Sequence, residues 1–223
     1  MELLQRNDEW CQRFVKSDVP FADLVIKRGQ SLAIFTGDKV IVYVYDKNDF
    51  SDEQVAKIKT YKHICGDYQS LLNLGIDPAK IELGELMATT QKYEDSQAII
   101  CNTENDIFAA SEICQSAGIA DNKDAKVLQN LCKNKKAMVA LFRQNGEPCG
   151  TARANFVNNK AIIGGVATAK EYRGKGFGKI ALQKVLSKID KDIYLFVCNQ
   201  IAKNMYKSMG FFTICTWGKV DSW

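Results

Sequence analysis

The sequence predicts an α/β (α+β) protein: a mixed, mostly antiparallel central sheet flanked by helices, preceded by a smaller α/β unit. Three observations carry this. Segments 137–143, 149–156 and 160–168 read as strands joined by the short turns "QNGEP" and "VNN", which is hairpin chemistry. "DIYLFVC" (192–198) is a nearly unbroken apolar run, as in a strand buried on both faces. Helical spacing flanks that run. Leu182, Val185, Leu186 and Ile189 share one face before it, and a helix from about Gln200 to Met209, stopped by Gly210, follows it.

The elements of the first half are predicted in order as follows. A helix covers about residues 7–16. "LAIFTGDKVIVYVYD" (32–46) is a hairpin turning at Gly37-Asp38, and a helix runs from Ser51 to about Lys62. "HICG" reads as a short strand and "DYQSLLNL" as a helix. The polar stretch "TTQKYEDS" (89–96) is the expected boundary, which divides the chain into units 1–92 and 93–223. The second unit opens with the strand "SQAIICN" (96–102). Thr103 then caps a helix in the capping-box pattern "TEND", with Ile107, Ala110, Ile113, Cys114 and Ala117 at helical spacing and Gly118 as the stop. A second helix is expected over Asp121–Lys135, with Val127, Leu128 and Leu131 inward. "FFTICTW" (211–217) is the closing strand.

Composition limits the function classes. The chain has 223 residues, 46% hydrophobic and 25% charged, which suits a soluble globular protein with a real core. The first ten residues lack the apolar core of a signal peptide, and no apolar run is long enough to span a bilayer, so a cytoplasmic protein without a membrane partner is expected. Eight cysteines never lie closer than thirteen positions apart, and the chain has one histidine, His63, so neither a Cys-x-x-Cys pair nor a metal site is expected. The thiols read as reduced and mostly buried. Between Lys170 and Lys191 seven Lys/Arg face two acids, a local +5 in a chain of net charge +4. Such concentration suits a compact anionic ligand better than a nucleic-acid track.

The centre of that segment is "ATAKEYRGKGFGKIAL" (167–182). Gly174, Gly176 and Gly178 alternate with Lys175 and Phe177, Arg173 and Lys179 flank them, and a helix follows at once. Free amides at a helix start, bare backbone and positive charge together suit a phosphate group. Three phosphate loops fail on spacing. Three residues, not four, separate Gly174 from Gly178-Lys179, and Ile180 replaces the Ser/Thr of a Walker A loop. The glycines form GxGxG rather than GxGxxG, and no acid ends the next strand. Too little chain follows for a kinase catalytic signature.

The pattern that fits is Arg173-Gly-Lys-Gly176-Phe-Gly178, which resembles the Q/R-x-x-G-x-G/A signature of the GNAT superfamily of acyl-CoA-dependent N-acyltransferases. "NQIAKNMYKSMGF" resembles the family's second landmark, with Asn199, Tyr206, Gly210 and Phe211 in the matching places. The likeness covers about residues 95–223. The first half looks like the degenerate first half of glycine-acyltransferase-like members with two tandem units. The resemblance implies a GNAT-like fold and acetyl-CoA as cosubstrate without a metal. A pantetheine arm would pair with Val166, Ala167 and Thr168, aided by a bulge at Gly164-Gly165. A diphosphate would lie on the amides of Gly174, Lys175, Gly176, Phe177, Gly178 and Lys179, with charge from Arg173, Lys175 and Lys179. Asn199 would orient the arm or the helix start, and Tyr206 would be the catalytic acid toward the leaving thiolate. The plainer readings stay open beside these: Tyr206 as core, Asn199 as a simple N-cap, the cationic helix face as solvated surface, His63 as structural or exposed. Tyr194 occupies one position where relatives carry an acid. The base is therefore unassigned among a water relay, Glu112 and an amine of low pKa. The implied activity is acetyl transfer to the amine of a small molecule or amino-acid-like acceptor. The alternatives are a non-catalytic acyl-CoA-binding regulatory module and a protein N-acetyltransferase.

Overall fold

The computed structural model describes residues 6–119 and 125–221. The chain forms two compact units, each discontinuous in sequence. One holds the described residues up to Ala88, with Phe196–Asn204 and the residues from Phe212 onward; the other holds Thr89–Leu195 and Met205–Phe211.

In the first unit, helix α1 (Asp8–Lys16) precedes strands β1 (Leu24–Arg28), β2 (Ser31–Thr36) and β3 (Lys39–Tyr43). Helix α2 (Asp52–Lys59), β4 (His63–Asp67), α3 (Tyr68–Asn73) and β5 (Glu82–Thr89) follow, and β11 (Phe212–Asp221) joins from the far end of the chain. Strand order is β1-β2-β3-β4-β11-β5, with the β3/β4 pair parallel and the others antiparallel. Ala33, Phe35, Val40, Val42, Ile58, Ile64 and Leu71 are buried at its core. The sequence reading misses β1 and β5. β1 is an edge strand with an exposed, charged end, "LVIKR". β5, "ELGELMAT", is written in helix-favouring residues and is a strand because β11 pairs with it from Phe212↔Ala88 to Lys219↔Glu82.

The second unit holds β6 (Ile99–Ile100), α4 (Glu104–Ser116), α5 (Ala125–Lys133), β7 (Ala137–Gln144), β8 (Glu147–Val157) and β9 (Lys160–Thr168). α6 (Phe177–Leu186) and most of β10 (Asp192–Val197) belong to it as well, and α7 (Gln200–Ser208) begins among the residues of the first unit and ends among those of the second. The strands run β10-β9-β8-β7-β6, antiparallel except for the β9/β10 pair. The second unit therefore carries the mixed, mostly antiparallel sheet with helices that the sequence predicts, and the strands of the first unit are mixed and mostly antiparallel as well. The Asp121 start expected for α5 lies outside the described residues. Thr103 caps α4 by accepting the Asp106 amide at 3.2 Å, and Ile107, Ala110 and Ile113 face the core.

One contact sets how α6 begins. A Cβ on Gly150 of β8 would meet the Phe177 carbonyl carbon and oxygen at 2.5 Å. The helix start therefore rests directly on strand backbone. Gly150→Ala is expected to destabilise the protein by about 1–3 kcal/mol, the usual range for overpacking against atoms that cannot yield. A urea unfolding midpoint equal to wild type would contradict this.

Candidate active site

The site is built where β9 hands over to α6. The β8/β9 register passes from Arg153↔Gly164 to Thr151↔Ala167, so Gly165 and Val166 together oppose Ala152. This is a β-bulge, and Gly165 supplies it with φ +58°. The Gly165 carbonyl accepts the Cys114 thiol of α4 at 3.4 Å. The parallel β9/β10 register ends at Ile163↔Leu195, just before the bulge. Among the described residues, Ala167 and Thr168 then pair with β8 on one edge, Val166 stands in the bulge, and none of the three pairs with a strand on the other edge. Such an open edge offers main-chain donors and acceptors to an extended partner.

After Thr168 the chain makes one 3₁₀ turn (Lys170–Tyr172) and enters the glycine loop. Gly174 and Gly176 have φ of +81° and +79°, with nothing within 4 Å of where a side chain would begin. Their glycine character is a matter of backbone conformation. Gly178 differs: a Cβ there would lie 3.0 Å from Thr168 Oγ1 and 3.1 Å from the Ala167 carbonyl oxygen. Its own amide donates to Thr168 Oγ1 at 3.0 Å. Gly176 is the N-cap of α6 and provides no side-chain cap, so the helix start keeps donors that no intrahelical acceptor can take. Phe177 packs its ring on Phe142 at 4.8 Å and Tyr172 at 6.0 Å between centroids. It thus offers the site its amide rather than its side chain. Arg173 and Lys175 are exposed at the loop, with Lys175 Nζ 5.5 Å from the Tyr172 ring centre. Lys179 Nζ donates to Ser208 Oγ at 3.3 Å, tying the start of α6 to the end of α7.

Tyr206 lies near that end of α7 and is 8% exposed. Its neighbourhood explains the spacing Tyr206…Gly210-Phe211. The Phe211 amide donates to the Tyr206 carbonyl at 3.1 Å, and the Gly210 amide to the Lys207 carbonyl at 3.0 Å. This is a Schellman stop, with Gly210 at φ +83°. The side chains that flank the motif meet as well: the rings of Tyr206 and Phe211 sit edge-on at 5.7 Å. Burial pushes the Tyr206 phenol up to about 12. Asn199 is the N-cap of α7; its Oδ1 accepts the Ala202 amide at 2.8 Å. Glu112 is exposed on α4, and Tyr194 is buried on β10.

Other features escape sequence reasoning. Asp95, in the polar stretch before β6, pairs with Lys184 at 2.8 Å and Lys188 at 2.7 Å. Hydrogen bonds from those two lysines hold its carboxyl well below the usual range. Two cations of the local excess are therefore already partnered. Tyr93 and Gln91, in the same stretch, contact the end of α7. In the first unit, Glu85 is buried, ion-paired with Lys203 and accepts the Thr213 hydroxyl at 2.8 Å. No local periodicity marks any of these.

The first unit repeats the order of three strands, helix, parallel strand and helix, yet its corresponding loop is closed. Asp49 Oδ2 accepts the Ser31 hydroxyl at 2.5 Å and the Asp46 amide at 3.3 Å. Ser51 and Gln54 form a capping box over the start of α2. Past the end of the β3/β4 register, the Val44 amide donates to Ser70 Oγ at 2.6 Å, and its carbonyl accepts Arg6 at 3.2 Å and Asn73 at 3.3 Å. Loop 44–53 carries four acids and one lysine.

Residues 105–211, a little under half of the chain, match the model of the acetyltransferase (GNAT) family. Proteins of this family are acyltransferases that use acetyl-CoA. The fold of the chain is similar to that of a GCN5-related N-acetyltransferase from Kribbella flavida, with a TM-score of 0.64 at 13% identity over 95% of both chains. It is also similar to an acetyltransferase of the GNAT family from Colwellia psychrerythraea, with a TM-score of 0.59 at 13% identity over 100% of this chain and 99% of that one. A GCN5-related N-acetyltransferase from Sphaerobacter thermophilus gives 0.57 at 15% identity over 85% and 75%. At these identities the likeness is one of fold. The comparison with curated proteins gives no match. Among the described residues no helix is long and apolar enough to cross a membrane.

Burial of Tyr206 has a consequence for stability. Its phenol titrates near 10 when unfolded and at about 12 when folded, so the unfolded chain loses the proton first as pH rises. The contribution is complete below about pH 10 and declines between about pH 10 and 12. Above about pH 10 the urea midpoint of wild type is expected to fall more steeply than that of Tyr206→Phe. Parallel curves would contradict the buried phenol.

Proposed function

We propose that the chain is an acetyl-CoA-dependent N-acetyltransferase acting on the amine of a small molecule or amino-acid-like acceptor. One observation supports this above the others: a glycine-lined helix start whose N-cap, Gly176, has no side chain to cover it, with exposed cations beside it, tied through Lys179 and Ser208 to the helix end that carries Tyr206. The residues fit coenzyme A by their chemistry. The open edge at Val166, Ala167 and Thr168 suits the amide-bearing pantetheine arm. The amides from Gly174 to Lys179 suit a diphosphate, except that of Gly178, which Thr168 Oγ1 already takes; Arg173, Lys175 and Lys179 add charge. Asn199 acts by fixing the start of α7. In this reading 93–223 is the acyl-CoA-binding catalytic domain and 1–92 a related unit that takes no cofactor.

Bound acetyl-CoA supplies a thioester. The acceptor nitrogen forms a bond to its carbonyl carbon, with a main-chain N–H near the Gly165 bulge stabilising the oxyanion. As the C–S bond breaks, the Tyr206 hydroxyl gives its proton to the sulfur, and the proton shed by the amine restores the phenol through solvent. A phenol whose pKa is pushed up to about 12 by burial stays protonated throughout the working range.

Two measurements test this. Calorimetry is expected to find one acetyl-CoA per chain, with binding weakened at least tenfold in Arg173→Glu/Lys175→Glu and little changed in Asp49→Asn. Two sites, or no heat, would overturn the assignment. In a coupled assay of free CoA release over a panel of amines, Tyr206→Phe should lower kcat about a hundredfold, as loss of a general acid does, with KM for acetyl-CoA within about twofold. Binding without turnover on any amine would favour a regulatory module instead.

A further inference from the structure

We propose that Tyr93 is a positioning residue for this reaction, holding the end of α7 and, through it, the ring of Tyr206. The inference rests on the reading of Tyr206 as the proton donor. Tyr93 lies outside the family-matched segment, in the polar stretch that precedes β6.

The Schellman stop of α7 uses the carbonyls of Tyr206 and Lys207, and the Met209 carbonyl lies just past them. The Tyr93 hydroxyl donates to that carbonyl at 2.6 Å and lies 3.0 Å from Thr89 Oγ1. Thr89 in turn accepts the Gln91 amide at 3.1 Å, which folds the 89–93 stretch back on itself. The Gln91 side chain then covers Gly210 so closely that a Cβ there would fall 1.9 Å from Gln91 Oε1. Two residues of one short segment thus grip consecutive residues of the helix stop.

The grip reaches Tyr206 through few bonds. Its carbonyl accepts the amides of both Met209, at 3.0 Å, and Phe211, at 3.1 Å. Its ring leans on Phe211, which is 3% exposed. A displaced Met209 therefore drags both amides on the Tyr206 carbonyl, and the ring moves with its backbone. General-acid transfer tolerates about half an ångström of misplacement. A hydroxyl that fixes the helix end is thus worth rate as well as stability.

The test is a double-mutant cycle with Tyr93→Phe and Tyr206→Phe, read by kcat with acetyl-CoA and the best amine of the panel. Tyr93→Phe alone is expected to lower kcat about five- to tenfold, with KM for acetyl-CoA within about twofold. In the Tyr206→Phe background it should change kcat less than twofold, because its effect runs through the missing hydroxyl. Equal factors in both backgrounds, or a lower Tm with unchanged kcat, would overturn the proposal. A second readout needs no turnover: the Cζ resonance of Tyr206 in protein labelled with carbon-13 tyrosine. In Tyr93→Phe, or in Thr89→Val should the first variant not fold, that resonance should broaden and its titration midpoint move down. An unchanged resonance overturns the positioning role. A Tyr206→Phe variant as fast as wild type would instead overturn the proton-donor reading, leaving the resonance to decide the grip.

Discussion

The close approach of α6 to the backbone of β8 and β9 is the constraint on which the site depends. Side chains at 150 and 178 would each fall against main-chain atoms, so the helix can start where it does because both positions are glycine. Gly178 then reaches Thr168, and that hydrogen bond fixes the first turn of the helix to the last residue of the strand. Phe177, between the two contacts, is turned inward onto Phe142 and Tyr172. With the side chain of the first turn anchored inward, the unclaimed amides are what the turn presents outward. An anion site of this kind is made by packing, and its charge is secondary to the geometry that bares the backbone.

The two units differ in what their loops leave open. Both run three strands into a helix and then a parallel strand. In the first, the polar groups of the loop are consumed by their own chain: Asp49 accepts the Asp46 amide, Ser51 caps the helix, and Val44 is claimed by Ser70, Asn73 and Arg6. These side chains are the stabilising choice, since a satisfied helix start is worth about 1 kcal/mol. The second unit forgoes that gain at Gly176, an N-cap without a side chain, and among the first-turn amides Thr168 takes that of Gly178. Leaving donors open costs stability, a cost that a bound anion would offset.

The sequence made the core of this architecture legible and hid its margins for physical reasons. Strong periodicity and turn chemistry gave α4, α6, β7, β8 and β9 within a few residues, because those segments are buried on one regular face. The glycine loop and the Tyr206…Gly210-Phe211 spacing were readable because each is a local device. Strand β5 was not, since its residues favour a helix and its partner comes from more than a hundred residues away. Tyr93, Asp95 and Glu85 were invisible for the same reason: a polar residue in a loop or on an unrecognised strand has no signature until its partner is placed beside it.

Charge illustrates the last point most sharply. Counting residues assigns a block of positive charge to the whole stretch from Lys170 to Lys191. In the folded chain Lys184 and Lys188 share Asp95, and Lys191 donates to the Asn158 carbonyl at 3.2 Å with its Nζ 5.8 Å from the centre of the Phe156 ring. Arg173 and Lys175 sit instead at the glycines. Surface fields fade over about 8–10 Å at physiological salt, so the positive potential is set by these loop residues rather than by the segment total. The far end of the helix is close to neutral, and the attraction for an anion is concentrated at the amides able to bind it. The composition pointed to a basic helix; the fold converts it into a basic helix start.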